Sequence, residues 1–454
     1  MAHPALEGKQ VCRQVFPAGE LSCTAIEFCS FSPDSSMDNI EFASKSAESS
    51  ARTSAIRASE PEGQIAAEGT VRVLRTLAEV EEVRAAWESW PGNPDADIDF
   101  YIALLKSTPS VVRPHVMVVY RDGRPDALLV GRIDRRRFEW RLGYLRLGHQ
   151  ANILYLVNGA LKGTGSFQNV ALLVQEICDC LARGEADVAY LNLLRIDSDF
   201  YALARTRPGV FCRDRFCAIQ PHYTLALPKS GQEFYQRFSS KTRSVLKSKR
   251  EKLEKAFNGA IEIRCFRGSE TLEAAIDVVE QLAKRSYLRG LGLGFVDSPE
   301  MRERLRMKAR KGWLRTYILY GEDRPLAYWN GDLVAGTFGG NYVGYDPEFS
   351  KYSPGMYLMT KVIEGFCTGE GEGVRRIDFG HGDAEYKASL ADCESREAAV
   401  HIFAPSFKGI EMSIGRSFSG AIEQGIKKVL AKADLLQKIK KSWRNHARRR
   451  LTQP

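Results

Sequence analysis

The sequence predicts an α/β protein built from two similar units in tandem, with a structureless N-terminal arm and a basic helical tail. Three observations carry this. From Thr70 onward, apolar strand-like runs alternate with helical spacing. The run Tyr120-Arg-Asp-Gly-Arg124-Pro125 recurs loosely as Tyr320-Gly-Glu-Asp-Arg324-Pro325, each time between two apolar strands. The excess charge is confined to one end of the chain.

That charge excludes one class of function. The net charge of +9 lies entirely in residues 427–454, and residues 1–426 balance to zero. A neutral body argues against a nucleic-acid-binding core, so no nucleic-acid partner is expected. The 454 residues allow two or three domains, and 44% hydrophobic with 27% charged residues is ordinary for a soluble globular protein. No apolar run approaches a membrane span, and the N-terminus lacks a basic-then-apolar leader. A cytoplasmic protein is the expectation. Ten cysteines occur without a CxxC pair. Cys178-x-Cys180 and Cys212-x4-Cys217 lack a convincing partner set, so free thiols are expected and no metal.

In chain order, residues 1–68 are Ser- and Ala-rich and read as a disordered arm, with a short strand around Ala25–Phe31 as its one candidate element. The first unit, residues 69–222, begins with a strand at Val71–Leu74 and a helix over Leu77–Trp90, stopped by Pro91-Gly92-Asn93-Pro94. Phe100–Leu105 is a short helix. Val116–Tyr120 and Ala127–Ile133 read as a hairpin, Val170–Leu181 as a helix and Val188–Leu193 as a strand.

The second unit, residues 223–412, opens with a helical stretch Phe234–Phe257 carrying Lys241, Arg243, Lys247, Lys249, Arg250, Lys252 and Lys255. It is either a solvated amphipathic helix or a cationic wall for an anionic substrate. Leu272–Tyr287 is a further helix, and Gly290–Gly294 a loop too poorly placed to be a nucleotide fingerprint. Asn341–Tyr345 is extended, and Ser353-Pro354-Gly355 starts a helix whose apolar face is Leu358, Val362, Ile363 and Phe366. Gly369, Gly371 and Gly373 end it, and Val374–Phe379 is the next strand. Strand, turn, helix start: this order leaves free N–H groups at Ser353–Tyr357, an anion site suited to phosphate.

Tyr345-Asp346-Pro347, Ser353-Pro354-Gly355 and Asp378-Phe379-Gly380-x-Gly382-Asp383-x-x-Tyr386-Lys387 resemble the GNAT-type acetyltransferases of the cellulose-biosynthesis (CelD/BcsL-type) family, relatives of the FemAB-like aminoacyltransferases. The resemblance covers about Phe234–Pro405. It implies two tandem GNAT-like (acyl-CoA N-acyltransferase) domains, the first without cofactor. It also implies transfer of an acetyl or longer acyl group from acyl-CoA to an amine or hydroxyl of a sugar-containing, polysaccharide- or envelope-related acceptor. Two strands, Gly340–Tyr345 and Arg376–Phe379, would part to admit the thioester arm. The alternatives are an aminoacyltransferase using charged tRNA and a catalytically silent scaffold.

The donor phosphates would sit at Ser353, Pro354, Gly355 and Met356, with Tyr345 beside them. Asp378, Glu385 and Lys387 are the catalytic candidates, with Asp383 and His381 nearby. Asp378 is ranked first. If Ile377 and Phe379 face the core, Asp378 faces the cleft, where desolvation would raise its pKa toward a useful base. Lys387 would neutralise a carboxylate or phosphate. No Ser-His-Asp or Cys-His set is discernible, which argues against a covalent acyl-enzyme. The tail, residues 413–454, has Ile422, Ile426, Val429, Leu430, Leu436 and Ile439 at helical spacing among lysines. It suits either an anionic membrane surface, making the protein membrane-peripheral, or docking on the domain.

Overall fold

The computed structural model describes residues 69–142, 145–286, 289, 294–369 and 373–432. The expected arm with its strand Ala25–Phe31, residues 290–293 of the glycine loop, Gly371, and tail residues 433–454 lie outside the described residues.

The first unit runs β1 (Thr70–Leu74), α1 (Leu77–Glu82), α2 (Arg84–Ser89), α3 (Ile98–Ser107), β2 (Val111–Pro114), β3 (Val116–Arg121), β4 (Arg124–Leu142), β5 (Leu145–Gly163), α4 (Phe167–Ala182), β6 (Val188–Arg195), α5 (Asp199–Thr206) and β7 (Ile219–Ala226). The second runs α6 (Gly231–Gln236), α7 (Ser240–Ala256), β8 (Ile261–Phe266), α8 (Leu272–Arg285), α9 (Pro299–Arg310), β9 (Leu314–Gly321), β10 (Arg324–Val334), β11 (Thr337–Tyr345), α10 (Pro354–Cys367), β12 (Arg376–His381), α11 (Glu385–Leu390), β13 (Cys393–Phe403) and α12 (Phe407–Lys432). Side-chain oxygens cap many of the helix starts: Asp97 for α3, Ser166 for α4, Ser239 for α7 and Ser298 for α9.

The described strands form one 13-stranded sheet in the order β1-β3-β4-β5-β6-β13-β7-β12-β11-β10-β9-β8, with β2 on β4. The tandem repeat is written in this order. In each unit, three antiparallel pairings lead to one parallel pairing: β5 with β6 in the first, β11 with β12 in the second. In each, a helix connects the parallel pair, α4 or α10. The repeated hexapeptides make equivalent hairpins, β3–β4 and β9–β10, entered through the left-handed residues Asp122 and Glu322.

The units then exchange strands. β7 follows the first unit but pairs with β12 of the second; β13 follows the second but pairs with β6 of the first. β7 and β13 pair with each other and join the two halves into one sheet. Strand β7 therefore runs across position 222/223, and α12 runs unbroken across 412/413.

Several expected elements differ in extent. The helix expected over Leu77–Trp90 is two, broken at Val83, whose ψ of 6° leaves the helical range. The stretch Phe234–Phe257 is likewise two helices, because Ser239 caps a fresh start for α7. The strand expected at Ala127–Ile133 is the 19-residue β4, paired along most of its length with β5, which was not anticipated. Polar runs such as Arg135-Arg136-Arg137 hide its period-2 pattern. The last strand of the motif begins at Arg376 and extends through Gly380 to His381.

Candidate active site

The parallel pair β11–β12 stays together for only three steps: Thr337 with Arg376, Phe338 with Ile377, Gly339 with Asp378. Beyond this point β11 continues to Tyr345 against β10, and β12 continues to His381 against β7. The two strands part at Asp378. A bulge between Asp378 and Gly380 on the β7 side bends β12 further, and Gly380 takes the required positive φ of 73°.

At the far end of β11 the chain turns through Pro347–Tyr352 into α10. Asp346 anchors this turn: it is buried, accepts from Glu348 N at 3.1 Å, and pairs with Arg285 and Arg324. Ser353 stands at the N-cap position, but it does not cap. Its φ/ψ of 55°/55° is left-handed, and its hydroxyl accepts from Lys249 Nζ at 2.7 Å rather than from the helix. Pro354 has no N–H, so the open donors of the first turn belong to the residues after it. Gly355 is buried against Tyr345, where an added Cβ would lie 3.5 Å from the ring. The structure thus brings Tyr345, Ser353, Pro354, Gly355 and Met356 together at one helix start, with the ammonium of basic α7 beside them.

The residue that sequence reasoning missed is His222. It lies on the exchanged strand β7, between β12 and β13. Its Nε2 is 2.6 Å from Asp378 Oδ1 and its Nδ1 is 2.7 Å from Glu397 Oε1. Asp378 Oδ1 also accepts from Gly380 N at 2.7 Å. Burial opposes charge on the imidazole, but the hydrogen bonds of both carboxylates outweigh it and raise His222 to about 10. The ring is then doubly protonated, and each N–H donates to a carboxylate. Burial likewise opposes charge on Asp378, but His222 and the Gly380 N–H win and hold it below the ordinary carboxylate range. The expectation of a raised Asp378 pKa is corrected: the side chain does turn away from the buried Ile377 and Phe379, but toward a cation.

Lys387, on α11, reaches back over the end of β12 and donates to His381 O at 2.7 Å. Burial pushes its ammonium down to about 8, with Asp378 partly offsetting the shift. Glu385 and Asp383 are exposed, and neither makes an ion pair among the described residues. His222 and Glu397 left no local signal, because β7 and β13 are separated by the whole second unit. The alternation of Gln220, His222 and Thr224 with Pro221, Tyr223 and Leu225 marks only a strand with one polar face.

The ladder between β11 and β12 ends at Asp378, and the α10 start with Lys249 lies beyond the far end of β11. Residues 240–388 match the family model of the Acetyltransferase (GNAT) domain. The matched segment holds α7, the parted strands, the α10 start, Asp378 and Lys387; His222 and Glu397 come from outside the matched segment. No curated protein matches the chain. Among solved structures, FemX is similar at 12% identity over 71% of this chain and 95% of that one, with a TM-score of 0.48. A tandem GNAT protein from the clavulanic acid biosynthesis pathway is similar at 14% identity over 74% and 99%, TM-score 0.41. The C-terminal domain of a putative lysylphosphatidylglycerol synthetase from Agrobacterium fabrum is similar at 12% identity over 75% and 96%, TM-score 0.41.

Among the described residues, His115, Cys180 and Glu185 lie close enough to share a metal ion. The charge of Glu185 is already met by Arg75, Arg113 and Arg183, and Arg113 also contacts His115 Nδ1 at 3.0 Å. Three guanidiniums around one carboxylate are the wrong surroundings for a cation.

The His222 network makes stability pH-dependent. Because folding raises this pKa, its contribution is full below pH ~6.5 and is lost as pH rises through about 10. His222→Gln should therefore be less stable than the parent at pH ~6, with the difference shrinking steadily toward pH ~10. Thermal melts across that range check it; a constant difference would contradict the pairing.

Proposed function

We propose that the protein transfers an acyl group from acyl-CoA directly to a primary amine of a sugar-containing or envelope-related acceptor. The observation that carries the reading is the parting of β11 and β12 at Asp378. Gly340–Tyr345 and Phe379–His381 then offer backbone groups to the thioester arm and to the developing oxyanion. The first-turn N–H groups after Pro354, with Lys249, hold the pyrophosphate. Asp378, His222 and Glu397 together carry one net negative charge, which draws in an ammonium and orients it. This favours an amine over a hydroxyl acceptor.

Lys387, as the free amine, takes the proton from the acceptor nitrogen. The neutral nitrogen attacks the thioester carbon, the C–S bond breaks, and the second proton of the nitrogen passes to the leaving thiolate. Asp378 contacts the acceptor and sets its position, and Glu385 is assigned no step. An amine-acceptor screen with acetyl-CoA, read as thiol release, tests this reading. Thiol release with aminosugars or other amines but not with their hydroxyl analogues is expected; release with hydroxyl acceptors alone would overturn the amine assignment.

The donor site has its own test. The Cβ of Gly355→Val fits beside Tyr345, but its branches crowd the first-turn N–H groups. Calorimetry should show coenzyme A affinity falling at least ~10-fold, with the melting temperature nearly kept. Unchanged affinity would remove the pyrophosphate assignment.

A further inference from the structure

Helix α12 carries apolar residues on two faces, and only one of them is covered. The inner face is held at close range by glycines. A Cβ at Gly409 would meet Ala404 O at 2.2 Å, one at Gly415 the Trp140 ring at 2.5 Å, and one at Gly420 Phe216 at 2.6 Å. Met412 is fully buried on this side, and Arg416 is buried against Asp214. These contacts fix the rotation of the helix about its axis.

The outer face is therefore fixed too. Phe407 is 87% exposed, Ile414 58%, Phe418 56% and Ile422 36%. Spaced seven, four and four residues apart, they make one stripe along the helix, broken only by the half-exposed Glu411, which pairs with His149 at 2.9 Å. The adjoining turn Val210–Cys212 packs beside α12 and adds Val210 and Phe211, 60% and 63% exposed. Singly exposed apolar residues are ordinary, but four along one helix face, with two more on an adjacent turn, mark an interaction surface.

The charge of the chain decides the occupant. Residues 427–454, which begin within α12, carry the entire net charge of +9. A nucleic acid would meet the cations but has no use for Phe and Ile side chains. A surface that is apolar just beneath a layer of negative charge meets both demands. We propose that the outer face of α12, with Val210 and Phe211, docks on the surface of an anionic phospholipid bilayer, the stripe entering the headgroup boundary and the basic segment meeting the lipid phosphates.

The docking face bears on the cleft. On β13, Glu397 and the residues packed under α12, His401 and Phe403, alternate to the same side of the sheet. The His222 cluster and α12 thus lie on one face of the sheet. The proposal does not depend on acyl transfer, and its test does not use it.

The full-length protein is floated with vesicles of phosphatidylcholine alone or with phosphatidylglycerol, at low salt and at high salt. Two variants accompany it, Ile414→Ser/Phe418→Ser and Arg448→Gln/Arg449→Gln/Arg450→Gln. Both alter exposed or terminal side chains, and circular dichroism checks the fold. Binding to anionic vesicles only, at low salt, is expected. The stripe variant should lose at least ~10-fold in affinity, and the arginine variant should lose binding with a shallower salt dependence. No flotation with anionic vesicles, or equal flotation of the stripe variant, overturns the proposal. So does a parent dimer in analytical ultracentrifugation that Ile414→Ser/Phe418→Ser converts to monomer, which would make the occupant a second copy.

Discussion

Asp378→Asn should lower the single-turnover rate of acyl transfer at sub-saturating acceptor by ~10²-fold while leaving donor affinity within a few-fold. The substitution is isosteric, so the parting of β11 and β12 is kept. What it removes is the anion between His222 and the cleft. His222 then has one carboxylate partner instead of two, and its pKa falls from about 10. The cluster loses its net negative charge, so an ammonium acceptor is neither drawn in nor held. Asp378 also holds the Lys387 pKa up. The residual activity of Asp378→Asn should therefore have its pH limb displaced to lower pH. Transfer near the parental rate would remove Asp378 from the reaction; lost donor affinity would make it structural.

Lys387→Met should cost a similar factor and should also remove a limb of the pH profile. In the parent protein the active form is the free amine. The rate therefore rises as pH passes through about 8 and levels off above it. A lysine acting only as a counter-charge gives the opposite sign, with activity falling as the ammonium is lost. The direction of the limb thus separates the two roles. Glu385→Gln should change little, since Glu385 is exposed on α11 and pairs with nothing among the described residues.

The parts of this site that are continuous in sequence were legible. Ser353-Pro354-Gly355 announced a helix start, and the buried face of α10 is Leu358, Val362, Ile363 and Phe366, as its spacing requires. The hexapeptide repeat pointed to two units, and the strand order bears it out. What was not legible is what the strand exchange brings together. His222 and Glu397 are 175 residues apart, and each looks like an ordinary polar residue on a strand. Without them, Asp378 reads as a partly desolvated acid with a raised pKa; with His222 at 2.6 Å the sign reverses. The left-handed Ser353 was hidden for a related reason. A serine before Pro at a helix start is normally a cap, whereas here the Lys249 ammonium from α7 donates to its hydroxyl.

The measurement closest to the central claim is amide hydrogen exchange of the full-length protein with and without acetyl-CoA. If β11 and β12 part to admit the donor, their unpaired amides exchange readily in the free protein and are covered in the complex. Slowed exchange is predicted at Gly340–Tyr345, at the first turn of α10 after Pro354, and at Phe379–His381, with little change in β5 and β6 of the first unit. Protection confined to the first unit, or none at saturating acetyl-CoA, would contradict the account.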